Sequence, residues 1–358
     1  MIVFDAHLDL AWNAMDWNRD LRLPVERIRQ IESDAGLRDK GRCCNTVAFP
    51  DLRRGKVVIF IATLLARLVR TGAMPAIQRY ASMTAAYGAA HGQLAYYRGL
   101  EQEGLLRIIK DWPALENHVQ AWHKDENSTT LPLGYILSME GADPVLTPDQ
   151  VEEWYEAGLR IIGPTHYGIS PYGHGTGTEG GLFPPGKPLL KEMQRLGMIL
   201  DVTHLSDQCF DEALEIYGGP LLASHHNNRT LVPNQRQLTD EQTRRLIGRG
   251  AVIGIALDSW MLHPGWVRGE SKPELVNLER MIDHIDRVCE LAGNARHVAI
   301  GTDLDGGFGR EQSPCDLDTI ADLQKAPDML RRRGYPEADV VGIMHGNWIR
   351  FFKEAWEE

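Results

Sequence analysis

Eight short apolar runs are spaced along the chain, and each has the length and composition of a buried strand. They are Ile2–Phe4, Val57–Ala62, Leu133–Ser138, Leu159–Thr165, Met198–Thr203, Pro220–Ser224, Ala251–Leu257 and His297–Thr302. Helical periodicity fills the segments Ala76–Tyr97, Pro148–Ala157, Lys187–Leu196, Asp207–Ile216, Asp240–Arg249 and Leu275–Leu291. Strands that alternate with helices indicate a parallel sheet, so this α/β pattern predicts one TIM-type (β/α)8 barrel domain over residues 1–358. Length alone would also permit a doubly wound sheet.

The first run continues into a polar strand end whose alternation places Asp5, His7 and Asp9 on one face. A strand in a parallel sheet is buried on both faces, and three ionisable side chains there need a strong partner. A divalent cation is the simplest such partner. Ordinary hydrogen-bonded polar residues have the same His-x-Asp spacing, however, so the rest of the chain has to decide.

Composition narrows the classes of partner. The formal net charge is −11, the pI is near 5.6, and Lys and Arg form no cluster, which argues against a nucleic-acid or anionic-membrane surface and favours a small-molecule partner. Five cysteines without a CxxC spacing indicate neither a disulfide framework nor a thiolate zinc site. The sequence shows no secretory leader and no apolar run of membrane-spanning length, so we expect a cytoplasmic protein.

Titratable residues follow six of the eight runs, at the carboxyl ends where a barrel of this kind carries its chemistry. In chain order they are His7 and Asp9, Glu140, His166, His204, the pair His225-His226, and Asp303 with Asp305. A single polar strand end is more often structural than catalytic. Six of them in one chain predict a functional site at this end of the sheet.

Imidazole nitrogen and carboxylate oxygen are the ligands that zinc and related ions prefer. A His-x-Asp pair, one Glu and two further His residues supply enough ligands for two ions, with Glu140 as the candidate bridge between them. The other interpretation of Glu140 is a helix-start carboxylate before Gly141. Strand alternation lets only one of His225 and His226 face the interior.

A glycine-rich stretch follows the fourth run, between Gly173 and Gly181. Its small side chains suit a mobile loop over a site, and they suit an ordinary long surface loop equally well. Trp12, Trp260 and Trp266 lie just past strand ends, where packing is the more typical role of an aromatic residue and pocket lining the alternative.

The motifs taken together resemble the membrane dipeptidase (renal dipeptidase) family of the amidohydrolase superfamily. The resemblance is carried by Asp-x-His-x-Asp-Leu on strand one, Glu-Gly after strand three, Thr-His after strand four, Asp-Val-Thr-His-Leu-Ser, Ala-Ser-His and Gly-Thr-Asp-Leu-Asp-Gly. It extends to the segment Arg236–Asp240 and to Gly346-Asn347-Trp348, and so covers nearly the whole chain.

This resemblance implies a role for each matching position. His7 and Asp9 would hold a first zinc ion, Glu140 would bridge, and His204 with His225 would hold a second. The residues implied for the reaction and for the substrate are His166, which polarises the scissile carbonyl, Asp303, which transfers the proton, and Arg236, which pairs with the terminal carboxylate. Arg229 is a nearby competitor for the last role, and a surface ion pair is the alternative for either arginine. Asp5 and Asp305 receive no ligand role.

The implied reaction is hydrolysis of a dipeptide by a hydroxide that bridges two zinc ions, with tolerance for a D-residue at the carboxyl-terminal position. Many members are homodimers, which leaves a homodimer as an open expectation. The chain departs from the family at Gly254–Leu262, where many relatives carry an Asn-Phe-Tyr-Pro type of segment, so side-chain specificity stays open.

Two other functions compete with this interpretation. A different binuclear amidohydrolase, acting on N-acyl amino acids or related amides, would use the same metals. Such enzymes usually carry a bridging lysine on strand four, where this chain has His166 and no lysine. A non-catalytic ligand-binding barrel would lack metal ligands, and none of the predicted ligands is missing.

Overall fold

The computed structural model describes residues 1–68 and 79–357. Its strands, numbered in chain order, are β1 (Val3–Leu8), β2 (Val57–Leu64), β3 (Arg67–Leu68), β4 (Arg79–Tyr80), β5 (Leu106–Ile108), β6 (Leu133–Glu140), β7 (Leu159–Gly163), β8 (Ile199–Asp201), β9 (Leu221–Leu222), β10 (Ile253–Ile255) and β11 (Val298–Ile300).

The helices are α1 (Leu10–Asp16), α2 (Val25–Asp34), α3 (Phe49–Arg54), α4 (Met83–Gln102), α5 (Trp112–Lys124), α6 (Val151–Glu156), α7 (Gly186–Arg195), α8 (Asp207–Ile216), α9 (Asp240–Gly248), α10 (Ser259–Leu262), α11 (Glu279–Ala292), α12 (Ala326–Arg333), α13 (Glu337–Val341) and α14 (Asn347–Glu357). Short 3₁₀ turns lie at Pro148–Gln150, Pro273–Leu275, Arg310–Gln312 and Ile320–Lys325, and a π-helical turn lies at Gly342–Gly346. Within residues 1–68 and 79–357, we find no helix with the length and apolar character needed to cross a membrane.

The main sheet is parallel and follows chain order. Its strands run β1, β2, β6, β7, β8 and β9, and β5 pairs with the first half of β6. β10 and β11 form a second parallel pair, joined to β9 by a bridge between Ala223 and Ile253. A doubly wound sheet reverses its strand order at a switch point, and no reversal occurs among the described strands. The alternative fold is therefore excluded.

The second strand pair brings β11 next to β1. There the Asp5 carboxylate of β1 accepts hydrogen bonds from the amide of Thr302, at 2.8 Å, and from its hydroxyl, at 2.6 Å. Thr302 lies two residues past the end of β11. The structure confirms an α/β fold built on a curled parallel sheet, and a complete eight-stranded barrel stays a prediction.

Each of the eight predicted runs overlaps a strand of the main sheet or of the β10–β11 pair, and these strands are almost entirely buried. Continuous burial explains why these strands are uniformly apolar in sequence. The helix predicted over Ala76–Tyr97 begins instead at Met83, where the Ser82 side chain accepts the amide of Ala85, and residues 76–78 lie outside the described residues. Of the five other predicted helices, Asp207–Ile216 is present with the predicted ends, and the other four are present with shifted ends.

Candidate metal centre

Five predicted ligand side chains meet at the carboxyl ends of the strands, with Glu140 at their centre. Its Oε1 lies 3.1 Å from Nε2 of His204 and 3.3 Å from Nε2 of His225. Its Oε2 lies 3.7 Å from Nε2 of His7, which in turn lies 3.6 Å from Oδ2 of Asp9. All five residues are at most 8% exposed. Glu140 is the last residue of β6, so the helix-start interpretation of this carboxylate is wrong.

Asp303 and His166 border this group at different members of it. His166 Nε2 lies 3.6 Å from Glu140 Oε1, and Asp303 Oδ1 lies 3.8 Å from His7 Nε2. The seven side chains form three overlapping sets in which possible ligand atoms lie within 4.8 Å of one another: His7, Glu140 and His225; Glu140, His166 and His204; and His7, Asp9 and Asp303.

Hydroxyl groups hold the far side of two of the imidazole rings. Nδ1 of His204 lies 2.9 Å from Oγ1 of Thr176, and Nδ1 of His225 lies 2.8 Å from Oγ of Ser224. Both contacts turn the Nε2 atoms toward Glu140. Sequence reasoning missed both hydroxyl residues, although Ser224 stands inside the Ala-Ser-His motif.

The protonation of these rings follows from their surroundings. Burial lowers the pKa of His166, His204 and His225 well below the usual range, so each ring is neutral near pH 7 and keeps one lone pair. Burial also lowers the pKa of His7, but the nearby carboxylates, Glu140 first, outweigh it and raise that pKa to about 10. Burial raises the pKa of Glu140 to about 7.

The arrangement fits a divalent-cation centre. If each Nδ1 carries the ring proton that its hydroxyl partner accepts, the two Nε2 atoms of His204 and His225 face each other as lone pairs only 3.1 Å apart. The carboxylate of Glu140 adds a third acceptor to the same space. Within the described chain, His7 Nε2 and Asp9 Oδ1 are buried without a hydrogen-bond partner. Acceptors that face acceptors need a cation, and nitrogen with oxygen is a donor set that zinc accepts.

The two arginine candidates differ in their surroundings. Arg236 is 2% exposed and donates from Nη2 to the main-chain oxygen of His225 at 2.9 Å. Its Nε and Nη1 have no hydrogen-bond acceptor within the described chain. Arg229 instead makes a two-pronged ion pair with Asp207, at 2.7 and 2.9 Å. Arg229 is therefore engaged in a structural ion pair, whereas Arg236 has hydrogen-bond donors without acceptors.

Three further polar residues at the strand ends have structural partners. Asp5 binds Thr302, as described above, and also accepts the amide of His7 at 3.2 Å. Asp305 accepts the amides of Thr46 and Val47, at 2.7 and 3.0 Å. His226 turns away from Glu140 and contacts the main-chain oxygen of Arg236 at 2.5 Å. Each therefore shapes the backbone that carries the site.

A cavity of about 340 Å³ opens onto the centre. Glu140, His166, His204, Asp9 and Asp303 line its inner end. Trp12, Trp260 and Trp266 line it as well, so pocket lining applies to all three tryptophans where sequence reasoning favoured packing. Lys40, Asp258 and Arg268 also belong to the polar part of the wall and were not anticipated. The volume is that of a small-molecule site.

The glycine-rich stretch is hydrogen-bonded to the segment that follows β7. The amide of Thr176 donates to the oxygen of His166 at 3.0 Å, and the amide of Gly168 donates to the oxygen of Thr176 at 2.9 Å. Gly175 packs so closely that a Cβ there would stand 1.9 Å from the oxygen of His166. A glycine at this position is therefore a packing requirement. The loop forms part of the wall behind the centre.

Comparison with known proteins gives the chain a family. The sequence model of the membrane dipeptidase family (peptidase family M19) matches residues 1–357. An uncharacterized protein in the pqqA 5′ region of Klebsiella pneumoniae is 30% identical over 216 residues, which are 58% of this chain and 76% of that protein. Dipeptidase 3 of Rattus norvegicus is 27% identical over 266 residues, which are 72% of this chain and 51% of that protein. The chain thus spans about half the length of the rat dipeptidase.

Two solved structures share the fold along almost their whole length. The dipeptidase AC, a metallopeptidase of family M19, superposes with a TM-score of 0.78 at 22% identity and covers 100% of this chain and 99% of its own. A metallopeptidase from Rhodobacter sphaeroides, liganded with a phosphinate mimic of the dipeptide L-Ala-D-Ala, superposes with a TM-score of 0.77 at 23% identity, covering 99% of each chain. The full-length match to the family's sequence model establishes that this chain belongs to the membrane dipeptidase family, peptidase family M19.

Proposed function

We propose that this protein is a zinc-dependent dipeptidase that cleaves the peptide bond of a free dipeptide. In this proposal His7 and Asp9 hold one zinc ion, His204 and His225 hold a second, and Glu140 lies between them. The observation that carries the proposal is the convergence of these five side chains around Glu140, at the end of a cavity that Asp303 also lines.

The chain's own residues supply the rest of the chemistry. When bound, the two ions would polarise the scissile carbonyl and lower the pKa of a water so that hydroxide is available near neutral pH. Asp303 accepts the proton of the attacking water and passes it to the leaving amine. Its side chain is 15% exposed. His166, whose Nε2 lies 3.6 Å from Glu140 Oε1, donates to the carbonyl oxygen as negative charge develops there.

Arg236 holds the carboxylate of the substrate in this proposal. A planar guanidinium binds a carboxylate with two parallel hydrogen bonds along one edge, which Nη2 forms with either Nε or Nη1. Nη2 of Arg236 donates one of its two N–H groups to the His225 oxygen, and Nε and Nη1 are unpaired, so one complete edge is left for a carboxylate. Buried donors without an acceptor are uncommon in folded proteins, so an anionic ligand is the expected partner. The binding of a free carboxylate would select dipeptides over longer internal peptide segments.

We further propose that the enzyme accepts a D-residue at the carboxyl-terminal position. The Rhodobacter sphaeroides structure that shares the fold holds a mimic of L-Ala-D-Ala, which supports this stereochemistry for that protein. The fold similarity brings the idea to this chain only as a proposal.

Metal content and turnover on one sample test the function. We expect purified protein to hold about two zinc equivalents and to cleave members of a panel of L-Xaa-D-Xaa and L-Xaa-L-Xaa dipeptides. N-acyl amino acids serve as the contrasting substrates, because a related binuclear amidohydrolase would prefer them. Protein that holds two zinc ions, cleaves no dipeptide and hydrolyses N-acyl amino acids would contradict the dipeptidase assignment.

A further inference from the structure

The glycine-rich loop touches the candidate metal centre through one side chain. Thr176 is 6% exposed, and its Oγ1 lies 2.9 Å from Nδ1 of His204. The same hydroxyl lies 3.5 Å from the main-chain oxygen of His204, which can take the hydroxyl proton. The hydroxyl oxygen is then free to accept the Nδ1 proton of the ring. This pair of contacts selects the tautomer in which Nε2 carries the lone pair.

His225 is held in the same way from the opposite side. Its Nδ1 lies 2.8 Å from Oγ of Ser224, and that hydroxyl lies 2.5 Å from Oδ2 of Asp201. An ionised carboxylate accepts hydrogen bonds and does not donate them, so the Ser224 proton points to Asp201. Ser224 must therefore accept from His225. The carboxylate also accepts the amides of Thr203 and Ser224, which fixes its own position.

We propose that Thr176 and Ser224 are positioning residues for the second metal ion, and that Thr176 makes retention of this ion depend on the glycine-rich loop. Both act through an imidazole assigned to that ion, and neither contacts His7 or Asp9 of the first site through a described hydrogen bond. The inference rests on the two metal sites of the proposed function and adds that the two ions are held differently. Loss of either hydroxyl should weaken the binding of the second ion and leave the binding of the first unchanged.

The expected size of the effect follows from known partners of metal-bound histidines. Removing a group that orients a ligating imidazole costs about 10- to 100-fold in metal affinity. Thr176→Val keeps the shape of the side chain and removes only the hydroxyl. Thr176→Ser keeps the hydroxyl and should restore affinity.

The chain offers a matched control two residues away. The hydroxyl of Thr178 donates to the oxygen of Gly175 at 2.8 Å, within the same loop, and has no described contact with a predicted metal ligand. Thr178→Val makes the same chemical change in the same loop. Any general weakening of the loop should affect both valine variants, whereas a specific effect on His204 should affect only Thr176→Val.

The test titrates zinc-loaded full-length variants with a chromogenic chelator and counts the ions released. We expect two release steps from the parent protein, and one step shifted by about 10- to 100-fold in Thr176→Val, with the other step unmoved. His204→Ala, which lacks the ligand itself, marks the step that belongs to the second ion. Thr176→Ser and Thr178→Val should release both ions as the parent does. Thermal unfolding of each variant verifies that it is folded.

Two results would overturn the inference. In the first, Thr176→Val releases both ions as the parent does. In the second, Thr176→Val and Thr178→Val shift both steps equally, which would make the loop a general structural support. Dipeptide turnover is measured separately. If the parent protein releases zinc as predicted but cleaves no dipeptide, the proposed function is contradicted and this inference is not.

Discussion

Replacement of Arg236 gives the most direct test of how substrate is recognised. The side chain is 2% exposed, one nitrogen donates to the His225 oxygen, and two nitrogens have no acceptor within the described chain. If the free edge of this guanidinium binds the substrate carboxylate, Arg236→Lys keeps a positive charge but loses the two-pronged geometry. The variant should therefore distinguish poorly between a dipeptide with a free carboxylate and the same dipeptide with a carboxyl-terminal amide.

The magnitude can be worked out from the two free donors. Hydrogen bonds to a charged group contribute about 1.5–3 kcal/mol each, and they are not fully additive. A loss of about 3 kcal/mol corresponds to roughly a hundredfold in binding. We expect the parent enzyme to prefer the free dipeptide over its amide by at least that factor in kcat/KM. In Arg236→Lys most of that preference should vanish, chiefly through a higher KM for the free dipeptide.

The assay compares kcat/KM for the matched free and amidated dipeptides in each variant. The ratio of the two kcat/KM values is insensitive to general damage from the lost contact between Arg236 and the His225 oxygen, because that damage affects both substrates equally. Arg229→Lys is the control, since that side chain pairs with Asp207 and has no predicted contact with substrate. It should keep the parent's ratio.

Equal turnover of free and amidated dipeptides by the parent enzyme would refute the assigned role of Arg236. So would a parent-like ratio in Arg236→Lys, because a point charge would then suffice where the structure argues for a fork. A changed ratio in Arg229→Lys alone would indicate that Arg229, and not Arg236, binds the substrate carboxylate.

Three further predictions concern proton transfer, packing and pH. Asp303→Asn should keep both metal ions and lose about 10²-fold or more in kcat, and loss of an ion in metal analysis would make Asp303 a ligand. Gly175→Ala should lower the free energy of unfolding by about 2 kcal/mol or more, because the added Cβ would stand 1.9 Å from the His166 oxygen. Gly88→Ala should not lower it, because a Cβ at that position has no neighbour within 4 Å. Urea unfolding measures both variants. Burial lowers the pKa of His118 to about 4, so the unfolded chain binds more protons than the folded chain between pH 6.5 and 4. The free energy of unfolding should therefore fall by up to about 3 kcal/mol as the pH drops through that window. His118→Gln should flatten this part of the curve in urea unfolding at pH 7 and pH 4.5.

The fold class was predictable because strands of a parallel sheet are buried on both faces and form uniform apolar runs. All eight predicted runs overlap a strand, and even the two-residue strand Leu221–Leu222 lies inside its run. Several helices were not predicted, among them α2 (Val25–Asp34) and α5 (Trp112–Lys124). Their exposed faces are strongly charged or polar and dilute the apolar periodicity, while their buried faces contribute few residues.

The side chains of the candidate centre were predictable for a related reason. The carboxyl ends of parallel strands meet at one edge, so polar residues there converge even when they are far apart in sequence. The residues behind them follow no such rule. Thr176 reaches His204 across 28 residues of sequence, and only the folded loop brings the two together. Lys40 and Asp258 reach the cavity from loops whose paths no periodic pattern specifies.

Two residues of the centre show what the other residues of their strand-end motifs contribute. His204 and Asp303 are non-glycine residues with φ of 68° and 57°, a conformation that costs about 1–3 kcal/mol and persists only where the surroundings enforce it. Around Asp303 the enforcing residue is Gly306, whose amide donates to the Asp303 main-chain oxygen at 2.9 Å and whose missing Cβ would stand 2.0 Å from Oδ1. The glycine that closes Gly-Thr-Asp-Leu-Asp-Gly thus makes room for the carboxylate. The motif specifies the direction of the Asp303 side chain as much as its identity.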